Sequence, residues 1–245
     1  MTGRRKLIIV GAVTFLAALT LNFPARTALN WFAPAEWQIS GISGSIWNGR
    51  AMSGHMGGID FSSANWSIKP LALLLGKVAA DISVATSAGR IDSSVAAGIG
   101  GSVTFENLSG TLSLAAIHPA LRASRVDGVV NLEMKKVIVE NGTPVFALGT
   151  IDVRSLLAGG LCAFSLGDFR AFISTENGEI QGQVENVDAM IEIDGTMSLR
   201  PDGSYLFLGT IAATSRAPDS ITRNLQYLGS ADAQGRRQFR FEGAL

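Results

Sequence analysis

The sequence predicts a mainly β protein: an N-terminal transmembrane helix, then a curved, glycine-punctuated antiparallel sheet forming an open groove or half-barrel, with one or two short helices. Three observations carry this expectation. An uncharged apolar run follows a basic cluster near the N-terminus. From Trp37 onward, short stretches alternate apolar and polar residues, the period of a strand rather than a helix. Between them stand Asn-Gly and Asp-Gly pairs, whose backbones accept the angles that hairpin turns require.

The first element is the anchor. Arg4, Arg5 and Lys6 lead directly into Leu7, Ile8, Ile9, Val10, Val13, Phe15, Leu16, Leu19, Leu21 and Phe23, with no charged residue from Leu7 to Phe23. Such a run makes a helix of roughly 25 Å, near the short limit for crossing a hydrocarbon core of roughly 30 Å. The cations hold the N-terminus in the cytoplasm, which carries the rest of the chain across the inner membrane. A cleaved signal peptide is the competing reading, since it also begins with a basic region and an apolar run. Against it stand the length of the run, the lack of a clean A-x-A site (Ala25-Arg26-Thr27 is a poor one) and the interfacial aromatics Trp31, Phe32 and Trp37. The expected organisation is a cytoplasmic flank (1–6), an anchor (7–23), a membrane-proximal linker (24–36) and a periplasmic β-rich domain (37–245).

The body of about 210 residues suffices for one sizeable domain or two small ones. Lys+Arg and Asp+Glu number 20 each, and setting aside the three N-terminal cations leaves the body mildly acidic. No basic face is available for nucleic acid, so that class of partner is excluded. Only 16% of residues are charged against 47% hydrophobic, more apolar character than one short anchor explains. The single cysteine, Cys162, allows no intramolecular disulfide, so apolar burial and backbone pairing must stabilise the fold. Cys162 is read as a small buried hydrophobe.

Strands are clearest at 126–134 and 191–199, where apolar and polar residues alternate, and at 238–242, where Phe239 and Phe241 share one face of a closing strand. Turns are expected at Asn141-Gly142, Asn177-Gly178 and Pro201-Asp202-Gly203. A loose motif of apolar residue, spacer and glycine recurs at Ile42–Ile46, Leu108–Leu112 and Ile193–Met197, and its glycines read as bend points in a curved sheet. Two short helices are expected. One spans 70–76 and ends at Gly76; the other runs from Pro218 to Leu228, with Ile221, Leu225 and Leu228 on one face and Gly229 as the stop.

Catalytic chemistry is sparse. His55 and His118 are the only histidines, with no metal-pair spacing, and no G-x-S-x-G elbow occurs. Glu133, Glu185 and Glu192 alternate with apolar neighbours and read as solvated strand positions. No phosphate-cradling loop is present, since Gly98-Ile99-Gly100-Gly101 leads into no lysine or helix. No metal, cofactor or catalytic residue is assigned, and a periplasmic enzyme is the least supported reading.

Two segments go beyond a generic β domain: Gly41 to Ala51, containing Gly44, Trp47 and Gly49, and Asn65 to Gly76, containing Trp66, Pro70 and Gly76. With the anchor, Leu166-Gly167-Asp168, Gly229, Gly235 and Phe241-Glu242-Gly243, they resemble the general secretion (type II secretion) pathway protein N family over essentially the whole chain. The resemblance implies a bitopic inner-membrane component that supports export of folded periplasmic proteins through assembly, with other secretion-apparatus proteins as partners and no catalytic residues to carry over. The body is also similar in pattern to AsmA-like envelope proteins, which implies the alternative of a periplasmic lipid-handling module with phospholipid as partner. By their own chemistry, Trp47 and Trp66 supply large apolar surfaces at strand ends with an indole N-H to satisfy, and Gly49 and Gly76 end elements. Both functions need the same alternation. They differ in whether the apolar face is filled or left as a groove.

Overall fold

The computed structural model describes residues 22–32, 34, 37–56, 59–73, 75–98, 100–116, 126–158 and 165–244. The expected membrane span lies outside these residues except for Asn22 and Phe23. Among the described residues no helix is long and apolar enough to cross a membrane. His118 and Cys162 also lie outside them. The chain divides into two compact units, Met1–Ser87 and Ala88–Leu245.

The described part of the first unit contains helix α1 (Ala25–Phe32), strands β1 (Gln38–Ser40), β2 (Ser43–Gly44), β3 (Asn48–Ala51), β4 (Ser53–Met56) and β5 (Ile59–Ile68), the one-turn helix α2 (Pro70–Leu73), and strand β6 (Lys77–Thr86). Strand β5 organises it. Its first half pairs with β4, its second half with β3, and β6 runs antiparallel along its other edge. The outer strands are completed by β1 on β4 and β2 on β3. Helix α1 occupies the segment expected as a linker, and Ala25 at its start is buried with 1% exposure. Proline serves α2 as its first residue, where a missing N-H costs nothing, and Gly76 N-H closes the turn on the carbonyl of Leu73.

The second unit is an open antiparallel meander. Strands β7 (Gly89–Gly98), β8 (Ser102–Ser113), β9 (Val126–Glu140), β10 (Thr143–Ala158), β11 (Gly167–Glu176), β12 (Glu179–Ala189), β13 (Ile191–Leu199), β14 (Ser204–Ala213) and β15 (Arg237–Ala244) lie in sequence order, each beside the next. The predicted hairpins at Asn141-Gly142 and Asn177-Gly178 form with all four residues at positive φ, between 51° and 85°, the type I′ geometry that suits strand twist.

Register assigns the two faces. In β13, Ile191, Gly195 and Leu199 are buried and Ile193 is partly so, while Glu192, Asp194 and Thr196 face solvent. Across the ladder, Ile193 stands opposite Ile211 and Met197 opposite Phe207, which stands opposite Phe241. The same side continues through Ile173 opposite Gly149, Ala171 opposite Ile151, and Leu132 opposite Ile151. One face is therefore apolar and the other carries charge, including the cross-strand pair Arg170–Asp152 at 2.6 Å. Burial on the apolar face concentrates in two clusters. One joins Met134, Ala147, Ile173, Ile180 and Leu199, and the other packs helix α3 (Asp219–Leu225) onto the sheet through Ile221 and Leu225.

Two expectations need correction. Leu228 does not share the buried face of α3: the chain tightens to a 3-10 turn over Gln226–Leu228, and Leu228 is 38% exposed. Gly49 does not end an element but lies inside β3, directly opposite Trp66. Strand glycines outside the recurring motif have a further place. Glycine faces an aromatic residue directly across the ladder at Gly49–Trp66, Gly54–Phe61, Gly209–Phe239 and Gly243–Tyr205. A Cβ built on these glycines would lie within 2.8 Å of a ring carbon of the opposing residue, so each ring lies over bare backbone.

Candidate functional site

The first unit holds an apolar pocket of about 550 Å³. Helix α1 supplies Ala28 and Leu29, strand β5 supplies Phe61, Ala64 and Trp66, and β6 supplies Ile82 and Val84. Alternation places these strand residues together: 64 and 66 lie two apart on β5, and register sets them opposite Val84 and Ile82. Ile46, Ile68 and Trp37 complete parts of the wall, and Asn65 is the polar side chain at its lining.

Trp66 is fixed here by two contacts. Its indole Nε1-H donates to the carbonyl of Ile46 at 3.0 Å, meeting the need for a partner that a half-buried tryptophan carries. Its ring covers Gly49, where a Cβ would lie 2.7 Å from Trp66 Cε2. Trp47 sits in the turn before β3, and its carbonyl accepts the Ile68 N-H at 2.6 Å. Trp47, Gly49, Trp66 and Ile68 thus form one joint, which the spacing along the sequence did not reveal because 20 residues separate Ile46 from Trp66.

The same joint receives the chain as it emerges from residues 1–21. The Ile46 N-H donates to the carbonyl of Phe23 at 3.0 Å, Pro24 bridges Ser45, and the Phe23 ring tilts against Trp31 at 5.9 Å. Two residues beyond Ile68, α2 and its turn present Leu71, Leu73 and Leu75 at 77%, 43% and 79% exposure. Lys69 and Lys77 flank them, Lys69 paired with Asp81 at 2.7 Å.

The other residues singled out from sequence have local structural places. Gly229 and Gly235 stand at φ 108° and 77° in the segment before β15, where Asp232 accepts the backbone N-H groups of Gln234 and Arg236. Those bonds hold the Asp232 carboxyl below the usual carboxylate range. Asp168 of the Leu166-Gly167-Asp168 segment accepts the N-H of Ser155 at 2.8 Å, within the irregular stretch of β10. His55 Nδ1 lies 2.8 Å from Asp60 across the β4–β5 hairpin, with both side chains well exposed. Among the described residues no group of three or more His, Cys, Asp or Glu side chains is placed to hold a metal ion.

These features define a class of mainly antiparallel β-sheet protein, with an apolar pocket in its first unit and a sheet with one apolar and one charged face in its second. The particular family follows from comparison: the model of the type II secretion system (T2SS) protein N family matches residues 35–240, and the chain belongs to this family. It is 23% identical to the type II secretion system protein N of Vibrio cholerae over 241 residues, 96% of each chain. It is 28% identical to the protein of the same name from Aeromonas hydrophila over 80 residues, 33% of this chain and 32% of that one. No solved structure matches it.

Proposed function

We propose that this chain is a bitopic inner-membrane subunit of the type II secretion pathway, with its N-terminus in the cytoplasm and its β body in the periplasm. It supports export of folded periplasmic proteins by assembly and interaction with other secretion-apparatus proteins rather than by catalysis. The observation that carries the pathway is family membership over residues 35–240. The topology rests on Arg4, Arg5 and Lys6 before the uncharged run from Leu7 to Phe23. The first unit's apolar pocket favours a second reading, a periplasmic lipid-handling role.

Deletion of the gene in a secreting host tests the primary reading. Exoproteins are expected to accumulate in the periplasm and to be released again on complementation. Unchanged secretion with altered envelope lipid composition would instead favour the lipid role. A reporter fused after Leu245 is expected to be active in the periplasm, and the intact mass of the membrane-extracted protein to include the anchor. A mature N-terminus near Ala28 would establish cleavage.

A further inference from the structure

We propose that the pocket of the first unit takes one acyl chain of a phospholipid from the periplasmic leaflet. This rests on the membrane-anchored reading given above. Volume is the first argument. The pocket, at about 550 Å³, is within the range of roughly 300 to 1,000 Å³ that takes an organic ligand, which leaves room for a hydrocarbon chain.

Chemistry is the second argument. Apart from Asn65, the strand and helix walls are alanine, leucine, isoleucine, valine and aromatic carbon, and the Trp66 N-H is already bonded to Ile46. A polar ligand would lose its hydration without gaining compensating bonds, whereas a hydrocarbon loses nothing.

Position supplies the third argument and selects the bilayer as the source. Ile46 lines the pocket and also bonds to Phe23, the last residue of the apolar run. Ile68 lines it too, and the chain passes from there into the exposed leucines Leu71, Leu73 and Leu75, with Lys77 just beyond them to meet anionic headgroups. The pocket, the arriving anchor and the leucine turn are therefore linked by direct hydrogen bonds or by two residues of chain.

The test uses the full chain in phosphatidylethanolamine–phosphatidylglycerol vesicles doped with a phosphatidylethanolamine bearing a diazirine near the end of one acyl chain. After illumination, labelled peptides are mapped by mass spectrometry. Label is expected in β5 or β6, around Ala64, Ile82 and Val84, as well as in the apolar run Leu7–Phe23. Ala64→Phe and, independently, Ala28→Leu fill the pocket. Each is expected to cut the β5 and β6 label by about tenfold, the loss from excluding even two methylenes, while leaving label in the apolar run. Only variants whose melting matches the parent within a few degrees are scored, and the two act from opposite walls.

Label confined to the apolar run would overturn the pocket proposal and leave the anchor standing. Label in β5 and β6 without label in the run would sustain the pocket and overturn the anchor. No label at either place would overturn both, and equal labelling of parent and filled variants would overturn the pocket.

Discussion

Trp66 and Gly49 depend on each other. The indole reaches Ile46 only by lying across the backbone of β3, and that backbone is bare because residue 49 has no Cβ. Gly49→Ala is expected to lower stability by about 1 to 3 kcal/mol, the range for overpacking a fitted site, measured by denaturant or thermal melting. Trp66→Ala should cost about 3 kcal/mol or more, whereas Trp66→Phe, which keeps a ring but strands the Ile46 carbonyl, should cost about 1 kcal/mol. Equal losses for the two would show that the hydrogen bond rather than the ring holds the joint. A second residue-scale expectation concerns Asp202 in the β13–β14 turn. It accepts the Ser204 hydroxyl at 2.6 Å and the Ser204 N-H at 2.8 Å, which hold its carboxyl below the usual range. Because its folded-state pKa is depressed, its contribution is present above the ordinary carboxylate value and is lost as pH falls through the depressed one. NMR titration should show the Asp202 carboxyl moving back up in Ser204→Ala.

Among the elements, ring-over-glycine pairs accompany aliphatic burial along the strands. Phe207 and Phe239 meet edge to face at 4.9 Å, with Phe239 over Gly209 and Phe207 close to Gly195. Such rings cover backbone that a mid-strand glycine leaves exposed, recovering part of its cost. The recurring glycines were visible in the sequence, but their partners were not, because pairing depends on register between strands that the turn lengths alone do not specify. Helix α3 shows the complementary case. Ile221 is 3% exposed, so Ile221→Ala is expected to cost about 2 to 5 kcal/mol. Leu228→Ala should change stability by no more than about 0.5 kcal/mol, since the 3-10 turn has taken that side chain out of the core. Comparing the two melts separates the observed geometry from a continuous helix to Leu228.

The whole chain combines a polar sheet face, an apolar sheet face and an apolar pocket, each within one unit. In the second unit, Ile193 packs against the cluster around α3 while its neighbour Glu192 points to solvent. Ile193→Asp is expected to destabilise that unit by several kcal/mol, roughly the cost of an unpaired buried carboxylate less what solvent recovers, whereas Glu192→Ala should be near neutral. Chemical denaturation of the full chain checks both. If Ile193→Asp also melted like the parent, the apolar face would be an open surface rather than a packed one.

Alternation and turn chemistry were enough to foresee strands at 126–134, 191–199 and 238–242, the hairpins at Asn141-Gly142 and Asn177-Gly178, and both short helices, because each depends on neighbours within a few residues. The order of the tryptophan and glycine segments likewise pointed to the family that residues 35–240 match. The pocket could not be seen at that level. Its walls come from α1, β5, β6 and the turn at Ile46, stretches separated by up to about 60 positions, and only strand register brings Ala64 opposite Val84 and Trp66 opposite Ile82. Local pattern fixes which residues turn inward. Which inward residues meet, and whether they fill the space between them, is set by long-range pairing and side-chain volume, which no single segment encodes.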